Sequence, residues 1–270
     1  MEQRRPGTTE GELLEVLSGY PLFRGVPRES LRALIHMGVE RKCPAGRFLF
    51  LEGDPAEGVY LLLEGYVKIV QTDVSGQEVV VQVAGPGEPL GLIATFADSP
   101  YPASAQAVSP ARALWLPGEA LRGFLLRHPE VALRLLRVLA ERLHETHRRL
   151  LEVSVLRVER RLARVLVRLA SRLGERTEEG IVVTMPLSRE ELAELCGTRL
   201  HTVSRLLNRW QRAGWVRLGR RRIVLREPHA LVALAEELEL REPSPALTGR
   251  KVREGKTADD QGGTRPGRTG

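Results

Sequence analysis

The side chains of this chain that are set out to do chemistry concentrate in PLSREELAELCGTRLHTVSRLLNRW, Pro186 to Trp210. His201, Thr202, Ser204, Arg205 and Arg209 are hydrogen-bonding groups at helical spacing, suited to meeting base edges and phosphates rather than to making bonds. Between them Val203, Leu206 and Leu207 fall on the opposite, inward face. Upstream, Leu187, Leu192 and Leu195 supply an apolar stripe, Ser188 can cap a helix, and Glu190 and Glu191 suit the positive end of its dipole. Gly197 permits a tight turn between the two halves. Two short helices around such a turn read as a helix-turn-helix. The alternative is an amphipathic helix pair with a solvated polar face.

The charge map favours the first reading. From Ser188 to Arg226 ten Arg face three Glu, so this window carries +7, equal to the formal charge of the whole chain. A local basic field on an otherwise balanced protein suits a polyanion, because neutralised phosphates release their counterions. Downstream, Trp215 to Leu218 and Arg222 to Leu225 read as two strands around a turn at Gly219 to Arg221. That hairpin is the wing of a winged helix, with Arg220 and Arg221 at its tip facing either backbone phosphate or solvent.

Composition narrows the class. The 270 residues suffice for two cores, and no apolar run approaches the ~18 residues of a membrane span. The N-terminus lacks the apolar core of a secretion signal, and two cysteines, Cys43 and Cys196, give neither a disulfide framework nor a metal cluster. The expectation is a cytoplasmic protein without a membrane partner. Paired carboxylates, a nucleophile triad and a phosphate loop are all missing from the motifs, so an enzyme finds no support.

The elements that must position the reader follow from periodicity. Leu13 to Gly38 reads as helical, with a second helix beginning near Pro27. From Glu40 to Leu116 short alternating segments are punctuated by glycines, the pattern of an antiparallel barrel or double-sheet roll. Its interior is expected to hold Val59, Leu61, Leu63, Val67, Ile69, Val79 and Val81. Pro117 to about Ser171 is helical again, and within it Ala132, Leu136, Leu139, Leu143, Thr146, Leu150 and Val153 form a heptad seam. The seam packs either on its own roll or on a second copy. A two-fold dimer fits a reader of paired half-sites about 34 Å apart.

Taken together, these parts resemble the Crp/Fnr family of bacterial transcription regulators. GDPAEGVYLLLEGYVKI (Gly53 to Ile69) is similar to the family's first roll repeats, PYPASAQA (Pro100 to Ala107) to its effector loop, RLLRVLAERL (Arg134 to Leu143) to its dimerisation helix and GTRLHTVSRLL (Gly197 to Leu207) to its reading helix. The resemblance implies an α+β fold: an N-terminal antiparallel, jelly-roll-like β-roll of the cyclic-nucleotide-binding type, a long dimerisation helix and a C-terminal winged helix-turn-helix. The corresponding boundaries are a flexible N-terminus (1–20), the effector-type roll (21–126), the dimerisation helix (127–153), the DNA-binding domain (154–240) and a disordered tail (241–270).

Carried over position by position, the resemblance implies that His201, Ser204 and Arg205 contact bases, with Arg205 forming a bidentate guanine contact. Arg189, Arg199 and Thr202 fall at phosphate-contacting positions, and Arg209, Arg220 and Arg221 join them. Leu136, Leu139, Leu143 and Leu150 form the dimer interface. Where many members carry Glu this chain has His201, and Leu200 replaces the Arg of the cyclic-AMP regulators, so the half-site is expected to differ. The family also implies promoter DNA, RNA polymerase and a second copy as partners, usually in activation.

The effector segment departs from the family. Cyclic-AMP-binding members use Gly-Glu-Leu for the ribose and Arg-Ser for the cyclic phosphate, whereas the matching residues here are Gly91-Leu92-Ile93 and Tyr101-Pro102, followed by Ala103. Cyclic AMP is therefore not the expected effector. Two cysteines cannot supply the four ligands of the oxygen-sensing branch's iron–sulfur cluster. LHTVSR and the text after the wing most resemble the nitric-oxide and denitrification-responsive branch, which brings haem into question with His36, His128, His144 and His147 as candidate ligands. His147, beside Thr146, occupies a position that faces the effector pocket in cyclic-nucleotide members. The competing reading is a nucleotide- or haem-binding sensor module whose output is not DNA binding.

Overall fold

The computed structural model describes residues 9–72 and 78–236. The expected tail, 241–270, and the first eight residues lie outside them. Thr9 opens α1 (Glu10–Gly19) with a reciprocal capping box: its hydroxyl accepts from the Glu12 N–H, and the Glu12 carboxylate accepts from the Thr9 N–H at 2.8 Å. This helix buries Leu13, Leu14 and Leu17, so the part of 1–20 that is described is ordered structure rather than the flexible stretch expected. A 3-10 turn (Pro21–Phe23) leads to α2 (Arg28–Met37), which begins just after Pro27, near where its spacing predicts.

Eight strands then build two antiparallel sheets, β1-β8-β3-β6 and β2-β7-β4-β5. They run β1 Val39–Cys43, β2 Phe48–Phe50, β3 Gly58–Glu64, β4 Val67–Thr72, β5 Glu78–Ala84, β6 Pro89–Leu90, β7 Ser104–Ala107 and β8 Ala111–Pro117. A short helix, α3 (Leu92–Phe96), follows β6. Phe50, Leu62, Val67, Ala84, Leu90 and Ala105 fill the space between the sheets. Val59, Leu61 and Leu63 are buried, but under α1, α2 and α4 (Gly118–Arg127) rather than inside the roll. Alternation says which residues share a face; it does not say what covers that face.

Two of the expected interior residues are misplaced outright: Val79 and Val81 are exposed. The pairing of β4 with β5 slips between Ile69 and Val70, so that Val70 faces Val80 while Ile69 faces Gln82. That irregularity changes the phase of the strand. Val80 and Val83 consequently turn outward from the roll, with Val70 and Val108, into one cluster with Leu162, Leu166 and Leu192 of the C-terminal domain.

Past α4, α5 (Pro129–Val155) begins after His128 and is 27 residues and about 40 Å long. It is followed by α6 (Val158–Leu173), a hairpin of β9 (Gly174–Thr177) and β10 (Gly180–Val183), α7 (Arg189–Cys196), α8 (Leu200–Arg212), β11 (Val216–Gly219), β12 (Arg222–Leu225) and α9 (Pro228–Glu236). The last four strands form one sheet, β11-β12-β10-β9. The β9–β10 hairpin is absent from the elements that periodicity predicts; its four residues per strand are too short for a period to show.

Charged side chains tie these parts together. Glu88 of the roll accepts from Arg142 of α5 at 3.4 Å and from Arg172 of α6 at 2.6 Å. Glu145 meets Arg149 and Arg172, and Glu152, only 5% exposed, takes two bonds from Arg168 (2.8 and 2.9 Å) and one from Arg164 (3.4 Å). Across the other flank Lys68 of β4, itself 7% exposed, bonds Glu194 of α7 at 3.2 Å, and the Tyr66 and Thr184 hydroxyls meet at 2.5 Å. Burial outweighs Lys68 in setting Glu194, whose carboxyl is held above the usual range.

Candidate nucleic-acid interface and the roll pocket

The helix pair around Gly197 is built from local rules that the sequence states openly. Ser188 caps α7: its hydroxyl accepts from the Glu191 N–H at 3.1 Å, and the Glu191 carboxylate accepts from the Ser188 N–H at 2.6 Å. Gly197 ends the helix at φ 59°, ψ 51°, a left-handed conformation that glycine adopts without strain. Its neighbour Thr198 bonds back to the Ala193 carbonyl at 3.0 Å, and α8 begins at Leu200. Leu192, Ala193 and Cys196 of α7 pack on Val203, Leu206, Leu207 and Trp210 of α8, all buried. Burial pushes the Cys196 thiol up to about 12, so it stays a neutral packing group; burial raises Cys43 as well.

Arg161 fixes this turn, a role the sequence does not announce. From α6 its guanidinium donates to the carbonyls of Cys196 (2.9 Å), Gly197 (3.2 Å) and Leu156 (3.0 Å). One side chain thus satisfies the open end of α7 and ties it to the α5–α6 junction. In the sequence it is one Arg among many in a helical run, and only the carbonyls that it meets single it out.

With the apolar face packed, His201 and Arg205 are exposed and Ser204 half-buried, all on the outer face of α8, where their spacing of three and four residues places them. Asn208 continues that face and accepts from Arg189 at 3.2 Å, fixing the start of α7 to the middle of α8. Thr202, Arg205 and Arg209 line a cleft of about 510 Å³ with Val158, Glu159 and Leu206. Arg199 is exposed at the N-cap of α8. Two expected phosphate contacts pair with carboxylates of their own chain: Arg209 with Glu159, and Arg221 with Glu191 at 3.1 Å, the latter donating also to the Pro186 carbonyl at 3.2 Å. Arg221 takes φ 53° in the Arg220-Arg221 turn between β11 and β12. The exposed positive end of α8 and this arginine-rich turn form a cationic surface able to hold a phosphate backbone and present a few donors to bases.

On α5, Leu136, Leu143 and Leu150 are 60%, 58% and 68% exposed. Leu139 is half-buried and leans on the core under α1 and α4.

The roll holds a second site. Gly91, Leu92, Tyr101, Pro102 and Ala103 do line one cavity, of about 110 Å³, together with Phe50, Ile69, Gln82, Leu90 and Arg142. Gly91 sits at φ 78°, and a Cβ there would meet the Tyr101 ring at 2.6 Å. Tyr101 stacks on Phe50, ring centres 3.9 Å apart, and its hydroxyl donates to the Gly58 carbonyl at 2.6 Å. Burial pushes this phenol up to about 12, which keeps it neutral.

Thr146 and His147, expected at this pocket, are exposed on α5 and do not line it. The helix turns toward its own chain at Val131, Leu135, Leu139, Arg142, Glu145, Arg149 and Glu152, and Thr146 falls off that stripe, its hydroxyl bonding the Arg142 carbonyl at 2.9 Å. Arg142, one turn earlier, is the α5 residue that enters. Burial holds its pKa below the usual guanidinium value, outweighing the opposing pull of Glu88. Haem does not fit this cavity: its volume is small, and none of His36, His128, His144 and His147 lines it. His36 lies near Glu10, His128 packs on Phe124, and the other two are exposed on α5.

Comparison with known proteins gives the family. Residues 40–128 match the cyclic nucleotide-binding domain and residues 160–234 the Crp-like helix-turn-helix domain. The chain is 31% identical to the CRP-like cAMP-activated global transcriptional regulator of Mycobacterium tuberculosis over 82% of its own length and 99% of the relative's. It is 33% identical to the cyclic AMP receptor protein of Thermus thermophilus over 82% of its own length and 98% of that protein's. Among solved structures, FixK2 of Bradyrhizobium japonicum has the same fold at a TM-score of 0.66 and 24% identity, covering 73% of this chain and 96% of that one. The CRP-family regulator TTHB099 of Thermus thermophilus matches at 0.62 and 26%, covering 72% and 96%. A reading helix presented by a winged domain, behind a cyclic-nucleotide-type roll and a long helix, is thus matched along nearly the full length of regulators built the same way, and the chain belongs to the Crp/Fnr family of DNA-binding transcription regulators.

Proposed function

We propose that this regulator acts in the cytoplasm as a homodimer that reads a two-fold symmetric promoter site, activates transcription with RNA polymerase, and does so without cyclic AMP. The observation that carries the dimer is the row of leucines at Leu136, Leu143 and Leu150, spaced by seven and turned away from their own chain. Pairing along that row sets two α8 helices on one DNA face, where His201, Ser204 and Arg205 meet bases and Arg189, Arg199, Thr202, Arg209, Arg220 and Arg221 meet phosphates. Phosphate contact requires Arg209 and Arg221 to exchange their present carboxylates for DNA oxygens, a like-for-like replacement.

Independence from cyclic AMP rests on the pocket. A buried ribose and cyclic phosphate need an acid and a base in the places held by Leu92 and by Tyr101 with Pro102, and Tyr101 fills its place with a ring already stacked and hydrogen-bonded. The two relatives above that are named for cyclic AMP make it the competing effector. Selection from random duplexes, followed by a gel-shift titration with and without excess cyclic AMP, tests the dimer, its site and its independence from cyclic AMP. A palindromic consensus, bound equally in both conditions and lost steeply as salt rises, is the expected result. A non-palindromic consensus counts against the dimer, and tighter retention with cyclic AMP against the effector assignment.

A further inference from the structure

The roll pocket is apolar on every side but one. Ile69, Leu90, Leu92 and the stacked rings of Phe50 and Tyr101 form its wall, and the Tyr101 hydroxyl is already spent on Gly58. Two polar side chains face that wall, and both bring donors. Gln82 brings an amide whose Nε2 is buried with no hydrogen-bond partner. Arg142 brings a guanidinium whose hydrogen bonds leave from Nη2, to the Pro89 carbonyl at 2.9 Å and to Glu88 at 3.4 Å. Among the described residues no carboxylate lines the cavity.

An unpaired amide in such a place is costly unless something accepts from it. The slip between β4 and β5 puts it there, since it sets Gln82 opposite Ile69 on the pocket side. The volume limits the guest. About 110 Å³ is of the order of an engineered apolar cavity of roughly 150 Å³ that holds benzene, and well short of a purine nucleotide.

We infer that this pocket binds a compact apolar acid, about one benzene ring in size, with its hydrocarbon against Phe50, Leu90 and Leu92 and its carboxylate between the Gln82 amide and the Arg142 guanidinium. The inference rests on the proposal that cyclic AMP is not the ligand here. Arg142 also gives the site an output. The carboxylate competes with Glu88 for its guanidinium, and Glu88 is the group whose other oxygen bonds Arg172 at 2.6 Å on the first helix of the DNA-binding domain. Occupancy of the roll thereby alters a contact that holds the reader, and DNA affinity shifts with it.

The experiment is calorimetric titration of the full chain with sodium benzoate, sodium isobutyrate and cyclic AMP, repeated on Gln82→Leu, Arg142→Gln and Arg148→Gln, with DNA affinity followed by gel shift. Benzoate or isobutyrate saturates one site per chain, Gln82→Leu and Arg142→Gln each weaken that binding about tenfold, the value of a charge-assisted hydrogen bond, and exposed Arg148→Gln leaves it unchanged. Should Arg142→Gln fail to fold for want of its Glu88 contact, Gln82→Leu decides alone, because Nε2 has no partner to lose. Absence of saturable binding by either acid, or binding that Gln82→Leu leaves within about twofold, overturns the inference. If that happens while DNA is still bound and cyclic AMP is not, the proposed function stands. Binding of cyclic AMP in place of the acids overturns both.

Discussion

Glu152→Ala tests whether the charged column between α5 and α6 holds the reader to the long helix α5. The carboxylate is buried and accepts from Arg168 twice, at 2.8 and 2.9 Å, and from Arg164 at 3.4 Å. Removing one partner of a buried pair costs roughly 3–5 kcal/mol, because the charge left behind keeps its desolvation penalty. Here the stranded guanidiniums are each 22% exposed, Arg168 retains Glu145 at 3.9 Å, and Arg164 retains the Ala235 carbonyl at 2.9 Å. Those residual partners bring the expected loss down to about 2–3 kcal/mol, or a fall in Tm of roughly 4–12 °C. Alanine is the best helix former, so a loss of helix propensity cannot account for a drop of that size. Thermal and urea unfolding followed by circular dichroism measure it, and the cycle with Arg168→Ala should return a coupling of at least about 1 kcal/mol. A loss under about 0.5 kcal/mol, or additivity in the cycle, refutes the view that this column joins the two helices.

Three further outcomes are expected. Arg205→Ala should weaken the selected site by about 1–3 kcal/mol and random duplex much less; equal losses on both count against a base contact. Leu143→Glu should give monomers in light scattering and abolish binding to a palindrome, and a mutant that stays dimeric removes the seam from the interface. Glu145 is half-buried, and its surrounding arginines, Arg149 first, outweigh burial and hold its carboxyl below the usual range. A depressed folded pKa means stability that is present at neutral pH and lost as the pH falls through the carboxylate range, so Glu145→Gln should flatten the acid limb of the stability profile; an unchanged slope rejects this.

The reader is legible in the sequence because its rules are local. Ser188 and Glu191 are three residues apart, Gly197 sits where a left-handed residue must, and the apolar and polar faces of α8 separate cleanly. The same kind of signal, Thr9 with Glu12, announces α1, but it lies in a stretch whose polar composition reads as flexible. What stays hidden depends on distant partners. The phase of β5 turns on a slip against β4, and Val79 and Val81 stay exposed although their alternation is regular. Arg142 sits one turn before the pair expected at the pocket, and its Glu88 partner is 54 residues away. Arg161 looks like any other arginine of α6 until the three carbonyls it holds are in view.

The two halves of α5 obey opposite rules, and this bears on the dimer more directly than the heptad count. Toward its own chain the helix shows Val131, Leu135 and Leu139 at the start but Arg142, Glu145, Arg149 and Glu152 from there on. Away from the chain, Leu136, Leu143, Leu150 and Val153 stand in the open. For an isolated helix on a single core the second half is inside out, since the charged stripe faces protein and the apolar stripe faces water. Each of those leucines recovers up to about 2 kcal/mol on burial, and two helices contribute six of them, about 12 kcal/mol in all. Association costs roughly 4–15 kcal/mol, so the leucine row alone sits near balance and every seam position counts. The inward charges then have a separate task. They join the apolar contact of Val80 and Val83 with Leu162 and Leu166 in holding α6, and through it the reading helix, against the roll.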